Sequence, residues 1–457
     1  MSNLFDAIVI GTGQAGPPLA AKLAKAGQKV AVIERGRFGG TCVNTGCIPT
    51  KAMVASARVA YMARRGADFG VDITGAIHVD MKRVKARKDQ ISRASRTAVE
   101  GMLDKTPNCT VYRGQARFAS DHVVEVGGEA LAAQQIFINV GARASKPNIP
   151  GLNEVSYLTN SSILEIDFLP ENLVILGGSY VGLEFGQMFR RFGSKVTIVE
   201  RGPGLLKRED SDVSQAIRDI LLKESIEVKL NSDCVELNKA SDGIEMRTNS
   251  ADGPTVQGTH VLIAAGRKPN TDDLGLENTK LQRDARGYIE VDDELRTSVP
   301  GVWALGDCNG RGAFTHTSYN DFEIVSANLL DGATRRVSDR ITAYAVFIDP
   351  PLGRVGMTEA EVRASGRNAL IAKRPMSKVG RAYEKSETQG FMKVLVDAES
   401  KEILGASILG TGGDEAIHCI LDVMYAKAPY TVLQHAVHIH PTVSELIPTM
   451  LGDLQPL

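Results

Sequence analysis

One stretch of this chain occurs twice. Gly11, Gly16, Gly27, Lys29, Val30, Glu34 and Arg35 return as Gly177, Gly182, Gly193, Lys195, Val196, Glu200 and Arg201, at a constant offset of 166 residues. Each copy reads the same way. In the first, an apolar β-prone run from Phe5 to Ile10 leads into G-x-G-x-x-G at Gly11, Gly13 and Gly16, and a second apolar run, Val30 to Ile33, closes on Glu34. The pattern predicts strand, tight turn, helix, strand. Glycines permit the turn and a close pyrophosphate, the helix N-terminus faces the phosphates, and the acid ending the second strand takes ribose hydroxyls. A single such motif is weak evidence. Two in register imply two dinucleotides, the arrangement required to pass electrons from a nicotinamide to FAD.

Both copies depart from the ideal. Pro17 and Pro18 follow the first glycine motif, where a helix's first turn has amide hydrogens without intrahelical partners and tolerates proline. Ser179 replaces the middle glycine of the second copy, narrowing the room for a pyrophosphate while adding a hydroxyl to bind one.

Between the copies, the segment GGTCVNTGCIPTK from Gly39 to Lys51 places Cys42 and Cys47 five residues apart, just after the first unit. Intracellular cysteines are most often inert and packed. Here glycines, Asn44, Pro49 and Lys51 favour a constrained loop entering a helix, and a helix N-terminus or nearby cation lowers a thiol pKa from about 8.5, producing the thiolate that attacks disulfides.

With these motifs the chain resembles the flavoprotein disulfide reductases, the group containing lipoamide dehydrogenase, glutathione reductase and mercuric reductase, over essentially its whole length. Further matches are AAGRKPN at Ala264 to Asn270, ALGD at Ala304 to Asp307 and HPTVSE at His440 to Glu445. The resemblance implies an α/β chain with two Rossmann-like dinucleotide-binding domains, for FAD and NAD(P), and a C-terminal α+β dimerisation domain. It implies that Cys42 is the interchange thiol, that Cys47 contacts the flavin, and that the two form a redox-active disulfide. Lys51 then pairs with Glu184 near the flavin, and His440, held by Glu445, is the acid-base supplied by the second subunit of a homodimer. The expected FAD contacts are Gly11, Gly13, Gly16, Glu34, Arg35, Gly40, Thr41, Lys51, Gly141, Gly306 and Asp307. For NAD(P) they are Gly177, Ser179, Gly182, Glu200, Arg201 and Gly266. Histidine chemistry agrees with the relay, since a group titrating near about pH 6.5 can both protect and protonate a thiolate.

Departures from the family patterns narrow the acceptor. Mercuric reductases carry an adjacent cysteine pair in the tail and a tyrosine at the acid-base position; here the tail reads TMLGDLQPL and the position is His440. A mercuric ion needs soft thiolates to hand it inward, and no metal-binding module is expected ahead of the first strand. Ala21 stands where glutathione reductases have an arginine that grips a peptide carboxylate. The segments FINVGAR (137–143), FTHTSYNDFEIV (314–325) and PPLGRVGMTE (350–359) look most like the reactive-chlorine-resistance flavoproteins, a mercuric-reductase-like branch linked to oxidative stress and copper(II) reduction. The expected acceptor is therefore a small disulfide, an oxidant-derived species or a metal ion. Lipoamide dehydrogenase, running the circuit toward NADH, is the alternative. From another class comes a nucleotide-binding redox sensor, although a sensor has no need of an acid-base histidine. Glu200 favours NADH, while Arg201, Lys207 and Arg208 leave NADPH possible.

A net charge of −1 with interleaved signs gives no footprint for nucleic acid or membrane surface, and the run Lys82 to Lys88 reads as the exposed face of a helix. No apolar stretch approaches the ~20 residues of a membrane span, no leader is expected, and cytoplasm is the expected compartment. Cys109, Cys234 and Cys419 read as packed. Cys308, beside Asp307, is either packed or an oxidation-sensitive position near the flavin. Thr45 lies between the paired cysteines where apolar residues are usual in the family, which makes it a candidate for tuning their potential in a direction the sequence does not give. No resident metal site is expected; His438 with His440 would bind a metal only weakly. The motifs divide the chain into an FAD-binding part (1–150), an NAD(P)-binding insertion (151–270), a return to the FAD domain (271–340) and a dimerisation domain (341–457). Pro150–Gly151 marks the first crossing.

Overall fold

The computed structural model describes residues 3–250 and 253–457. The sequence repeat is also a repeat of topology. In a seven-stranded sheet, Cys109–Arg113, Val30–Glu34, Asn3–Ile10 and Glu129–Ile138 lie side by side and parallel, and Val302–Ala304 pairs with the last of them. A five-stranded parallel sheet repeats that order with Glu227–Lys229, Lys195–Val199, Asn172–Leu176 and His260–Ile263, ending on Tyr157–Leu158. The central strands are covered on both faces, so they are continuous apolar runs; Ala7, Ile8 and Val9 are all fully buried. Each unit also carries antiparallel strands. Arg117–Ser120 and Val123–Val126 extend the first sheet, while Cys234–Ala240, Gly243–Thr248 and Thr255–Gly258 form a separate meander in the second.

The chain leaves the first unit through Ala142–Ala144 and returns through Arg267–Pro269, and these two crossing strands pair antiparallel with each other. Just beyond the outgoing strand, the Pro150 carbonyl accepts the Leu237 amide at 2.9 Å, tying the crossing to the meander. After residue 340 the chain builds a six-stranded antiparallel sheet, on which the helix Gly413–Tyr425 packs through Ile417 and Ile420. The two dinucleotide units and the mixed third domain make this the α/β architecture expected.

One core cluster positions the site. Met53 and Ala57 of the helix Cys47–Arg64, Leu183 and Phe185 of the helix Tyr180–Phe192, and Val346 at the end of the strand Ala343–Val346 with Ile348 just beyond it belong to one buried cluster. Residues from three distant parts of the chain are thereby held rigidly together.

One expectation is corrected. The run Lys82 to Lys88 does begin a helix, Met81–Asp104, whose N-cap Asp80 accepts the Arg83 amide at 3.1 Å. Lys88, however, is buried, its ammonium 2.5 Å from Asp89 and 3.7 Å from Glu165. The helix lies against the protein with this lysine inward, and the two carboxylates compensate its charge. Among the described residues, no helix is long and apolar enough to cross a membrane.

Candidate active site

The two glycine turns are built for close backbone approach. Gly11 and Gly177 adopt φ of 99° and 118°, where an added Cβ would lie 2.4 Å from the Asn139 carbonyl oxygen and 2.5 Å from that of Ala264. Gly16 and Gly182 lack side chains for a second reason: a Cβ would approach the Gly11 and Gly177 oxygens to 2.3 and 2.0 Å, so each helix packs directly on its turn. The acids match as closely. Glu34 accepts the amides of Thr12 (2.9 Å) and Gly36 (2.7 Å), and Glu200 accepts those of Gly178 (2.7 Å) and Gly202 (2.8 Å). In both units the carboxylate is pinned at the mouth of the turn before any ribose arrives.

Both turns open into one cleft of about 2140 Å³, well above the ~300–1,000 Å³ of an ordinary small-molecule pocket. Gly11, Gly13, Glu34, Gly40, Thr41, Gly141 and Asp307 line one part of it, Ser179, Glu200 and Gly266 another, and Cys42, Cys47, Lys51 and Glu184 lie between. Burial pushes the Asp307 carboxyl up, against the pull of the Arg267 guanidinium 3.1 Å away. A side-chain-free cradle on two turns, with a carboxylate beyond the first, fits a flavin dinucleotide and a nicotinamide dinucleotide meeting at the cysteines.

Cys42 lies on the short helix Gly40–Asn44, and Cys47 opens the helix Cys47–Arg64. Both are thiols. The two sulfurs are coupled: the Cys42 thiol draws Cys47 down to about 6 and is itself pushed far up, while burial opposes the first effect and Thr315 and Lys51 assist it. One helical turn after Cys47, the Lys51 ammonium sits 2.7 Å from Glu184 Oε2 and 4.4 Å from the centre of the Phe347 ring. Glu184 is not a surface carboxylate: it is 4% exposed, and its Oε1 accepts the Phe347 amide at 3.0 Å.

His440 is not in this cleft. Its Nδ1 lies 2.9 and 3.1 Å from the two oxygens of Glu445, and the ring is 81% exposed, with Nε2 unbonded. Beside it Val437 and Ile439 are also exposed, at 101% and 80%. Gly16, Gly177, Gly182 and Gly306 do not line the cleft. Arg35 lines the cleft but pairs with Asp273 at 2.5 Å, and Arg201 is exposed outside it. Ser179 is the N-cap of the helix Tyr180–Phe192, with its hydroxyl making no cap bond. Cys308 is fully buried, its thiol donating to the Ile138 and Leu305 carbonyls and pushed up to about 12 by burial.

Four contributors escaped sequence reading. Asn139 Oδ1 accepts the Gly16 amide at 3.0 Å while its Nδ2 donates to the Leu305 carbonyl at 2.9 Å, stapling the first turn to the ALGD segment. Asp321, buried, accepts the Gly306 amide at 2.7 Å and so sets the turn that presents Asp307. Phe347 orders Glu184, and the Thr315 hydroxyl is 3.1 Å from Cys47 Sγ. The available signal was the unusual segment 314–325, which contains Thr315 and Asp321.

Two family models match. Residues 5–321 fit the pyridine nucleotide-disulphide oxidoreductase model, and residues 342–451 fit the dimerisation domain of the same family. The probable pyridine nucleotide-disulfide oxidoreductase RclA of Escherichia coli (strain K12) is 37% identical over 97% of this chain and 98% of its own. A dihydrolipoyl dehydrogenase of Thermus scotoductus is 32% identical (96% and 95%), and a mercuric reductase of Staphylococcus aureus is 31% identical (94% and 80%). Among solved structures, the HOCl-induced flavoprotein disulfide reductase RclA from Escherichia coli superposes with a TM-score of 0.90, and its Cu(II) complex with 0.89. Both are 36% identical and cover 98% of this chain and 99% of the other.

Proposed function

Because this chain belongs to the pyridine nucleotide-disulphide oxidoreductase family, whose members are NAD(P)H-dependent flavoprotein oxidoreductases, we propose that it oxidises NADH and delivers the electrons through Cys42 and Cys47 to a small external acceptor. The carrying observation is that Cys42 and Cys47 both line the cleft that the two dinucleotide turns share, with Lys51 and Glu184 beside them. FAD would be held by Gly11, Gly13, Gly16, Glu34, Gly40, Thr41, Gly141 and Asp307, and NADH by Ser179, Glu200 and Gly266. When bound, the two cofactors supply the electron pair that reduces a Cys42–Cys47 disulfide.

The chain's residues then do the rest. With a disulfide acceptor, His440 Nε2 of a second copy takes the Cys42 proton as Cys42 Sγ attacks one sulfur, the acceptor S–S bond breaks, and Nε2 returns that proton to the departing thiolate. The Cys47 thiolate next attacks Cys42 Sγ, which breaks the mixed disulfide, re-forms Cys42–Cys47 and releases the second half as a thiolate that takes its proton from solvent. Two cysteines are oxidised and one acceptor disulfide is reduced. Lys51, anchored by Glu184, places a positive charge beside Cys47 throughout. The dimer reading is supported by the match to the dimerisation domain, by the exposed apolar flank of His440, and by the absence of His440 from its own chain's cleft.

The deciding experiment follows NADH consumption by the purified flavoprotein against lipoamide, glutathione disulfide, copper(II) and mercury(II), beside Cys42→Ser. Slow disulfide turnover with clear metal-stimulated oxidation places the acceptor with the RclA-like branch. Fast Cys42-dependent turnover of lipoamide assigns dihydrolipoamide dehydrogenase instead. A flavoprotein that NADH does not reduce overturns the enzyme reading in favour of a sensor.

A further inference from the structure

Cys47 sits where the first turns of two long helices converge, its own (Cys47–Arg64) and Thr315–Leu330. Each first turn presents amides without intrahelical partners and a positive end of the helix dipole. The second helix adds a side chain: Thr315, its first residue, has its hydroxyl 3.1 Å from Cys47 Sγ. That hydroxyl is held in place. Thr317 Oγ1 accepts the preceding Phe314 amide at 3.1 Å, and the Phe314 ring stacks on Tyr344 with centroids 5.6 Å apart and planes at 11°. The threonine thus enters the cleft on a turn fixed from both sides.

Two groups can donate to a Cys47 thiolate, the Cys42 thiol coupled to it and the Thr315 hydroxyl in contact with it, and they differ in permanence. Cys42 leaves when it attacks an acceptor, since a sulfur bonded to substrate has no proton to give. Thr315 takes no part in the exchange. We propose that Thr315 is a catalytic hydrogen-bond donor that keeps Cys47 a thiolate during the interval in which Cys42 is bonded to the acceptor. This rests on the reading of Cys47 as the thiol that resolves the mixed disulfide. The ionisable groups facing Cys47 are Cys42 and Lys51 from its own segment, and Glu184 and Tyr180 from the helix packed opposite. Lys51 is already shared with Glu184 at 2.7 Å; the Thr315 hydroxyl faces Cys42 as well as Cys47, and once Cys42 is bonded to the acceptor Cys47 is the thiolate left for it to serve.

The test uses flavin-loaded protein carrying Cys42→Ala, which imitates the engaged state by removing the first donor. Iodoacetamide alkylation of Cys47 is followed against pH by peptide mass spectrometry. Adding Thr315→Val, which keeps the shape and loses the hydroxyl, is expected to move the inflection up by about one pH unit, a hydrogen bond to an ionised group being worth that much. Thr315→Ser is expected to restore it. An unmoved inflection in the valine variant, or serine shifting as far as valine, overturns the proposal. Should Thr315→Val lose its flavin, Thr315→Ala against Thr315→Ser reads the same contrast. The underlying reading is checked separately: Cys47→Ser retaining full acceptor turnover removes the resolving role itself, whatever the alkylation profile shows.

Discussion

The Lys51 ammonium and the Glu184 carboxylate, 133 residues apart in sequence, meet at 2.7 Å, and the second Glu184 oxygen accepts the Phe347 amide. This carboxylate therefore joins the cysteine-bearing helix, the second dinucleotide unit and the last domain. Glu184→Ala leaves a cation and a buried amide without an acceptor. The expected cost is about 2–4 kcal/mol, toward the lower end because Lys51 is 32% exposed. Glu184→Gln retains an acceptor for Phe347 and is expected to cost roughly half as much. Urea unfolding followed by circular dichroism measures both; an alanine variant as stable as the parent would show that the junction carries no weight.

The thiol pair gives a pH dependence with a definite sign. In the reduced protein Cys47 is drawn down to about 6, first by the thiol of Cys42, while Cys42 is pushed far up. Between about pH 6 and the unfolded thiol value near about 8.5 the native pair holds one proton fewer than the unfolded chain, so stability rises with pH. Above that range the unfolded pair loses both protons and the native pair keeps one, so stability falls again. Dithiothreitol-reduced protein is expected to show its largest unfolding midpoint, relative to Cys42→Ala, near the upper end of that window, and Cys47 alkylation with an inflection near 6. A midpoint difference that grows steadily on acidification would contradict this.

What was legible in the sequence is what is local. Strand, turn and helix within each dinucleotide unit lie inside about thirty residues, so glycine spacing and apolar runs specify them, and Glu34 and Glu200 occupy equivalent positions because their surroundings are equivalent. Thr315, 268 residues from Cys47, reaches the sulfur only through the packing of the last sheet and both helices, which no spacing rule records. Lys88 failed for a related reason. A lysine in a charged run is normally solvated, and its burial depends on Glu165, which arrives from a loop in the second unit. The Lys51–Glu184 pairing was reachable through family resemblance alone; its Phe347 support was not.

His440 has one ring nitrogen committed to Glu445 and the other free at an exposed surface. A carboxylate on Nδ1 fixes the tautomer with Nε2 available for acid-base work. His440→Ala is expected to lower acceptor turnover by about 10²–10⁴-fold, and Glu445→Gln by a smaller factor, with native flavin content in both. Because His440 does not line its own chain's cleft, mixing Cys42→Ser and His440→Ala proteins under subunit exchange should regenerate one intact site per mixed dimer. Activity that stays at the level of the separate variants would mean the two residues do not act across subunits.

The NADH reading rests on Glu200, which is held by the same geometry as Glu34 in the other unit. Its two oxygens, 2.7 and 2.8 Å from the Gly178 and Gly202 amides, stand at the end of the second strand where an adenosine ribose is bound in such units. A carboxylate there accepts two hydroxyls and repels a 2′-phosphate. Glu200→Ser removes the charge and leaves Lys207 and Arg208, both exposed and both on the cleft wall, free to attract the phosphate. The kcat/KM for NADH is expected to fall and that for NADPH to rise, changing the ratio by about tenfold or more, equivalent to ~1.4 kcal/mol in differential binding. Because the ratio compares two cofactors in one variant, it is insensitive to losses of folded protein or flavin. An unchanged ratio would assign cofactor choice to the neighbouring Arg201, Lys207 and Arg208 and not to the carboxylate.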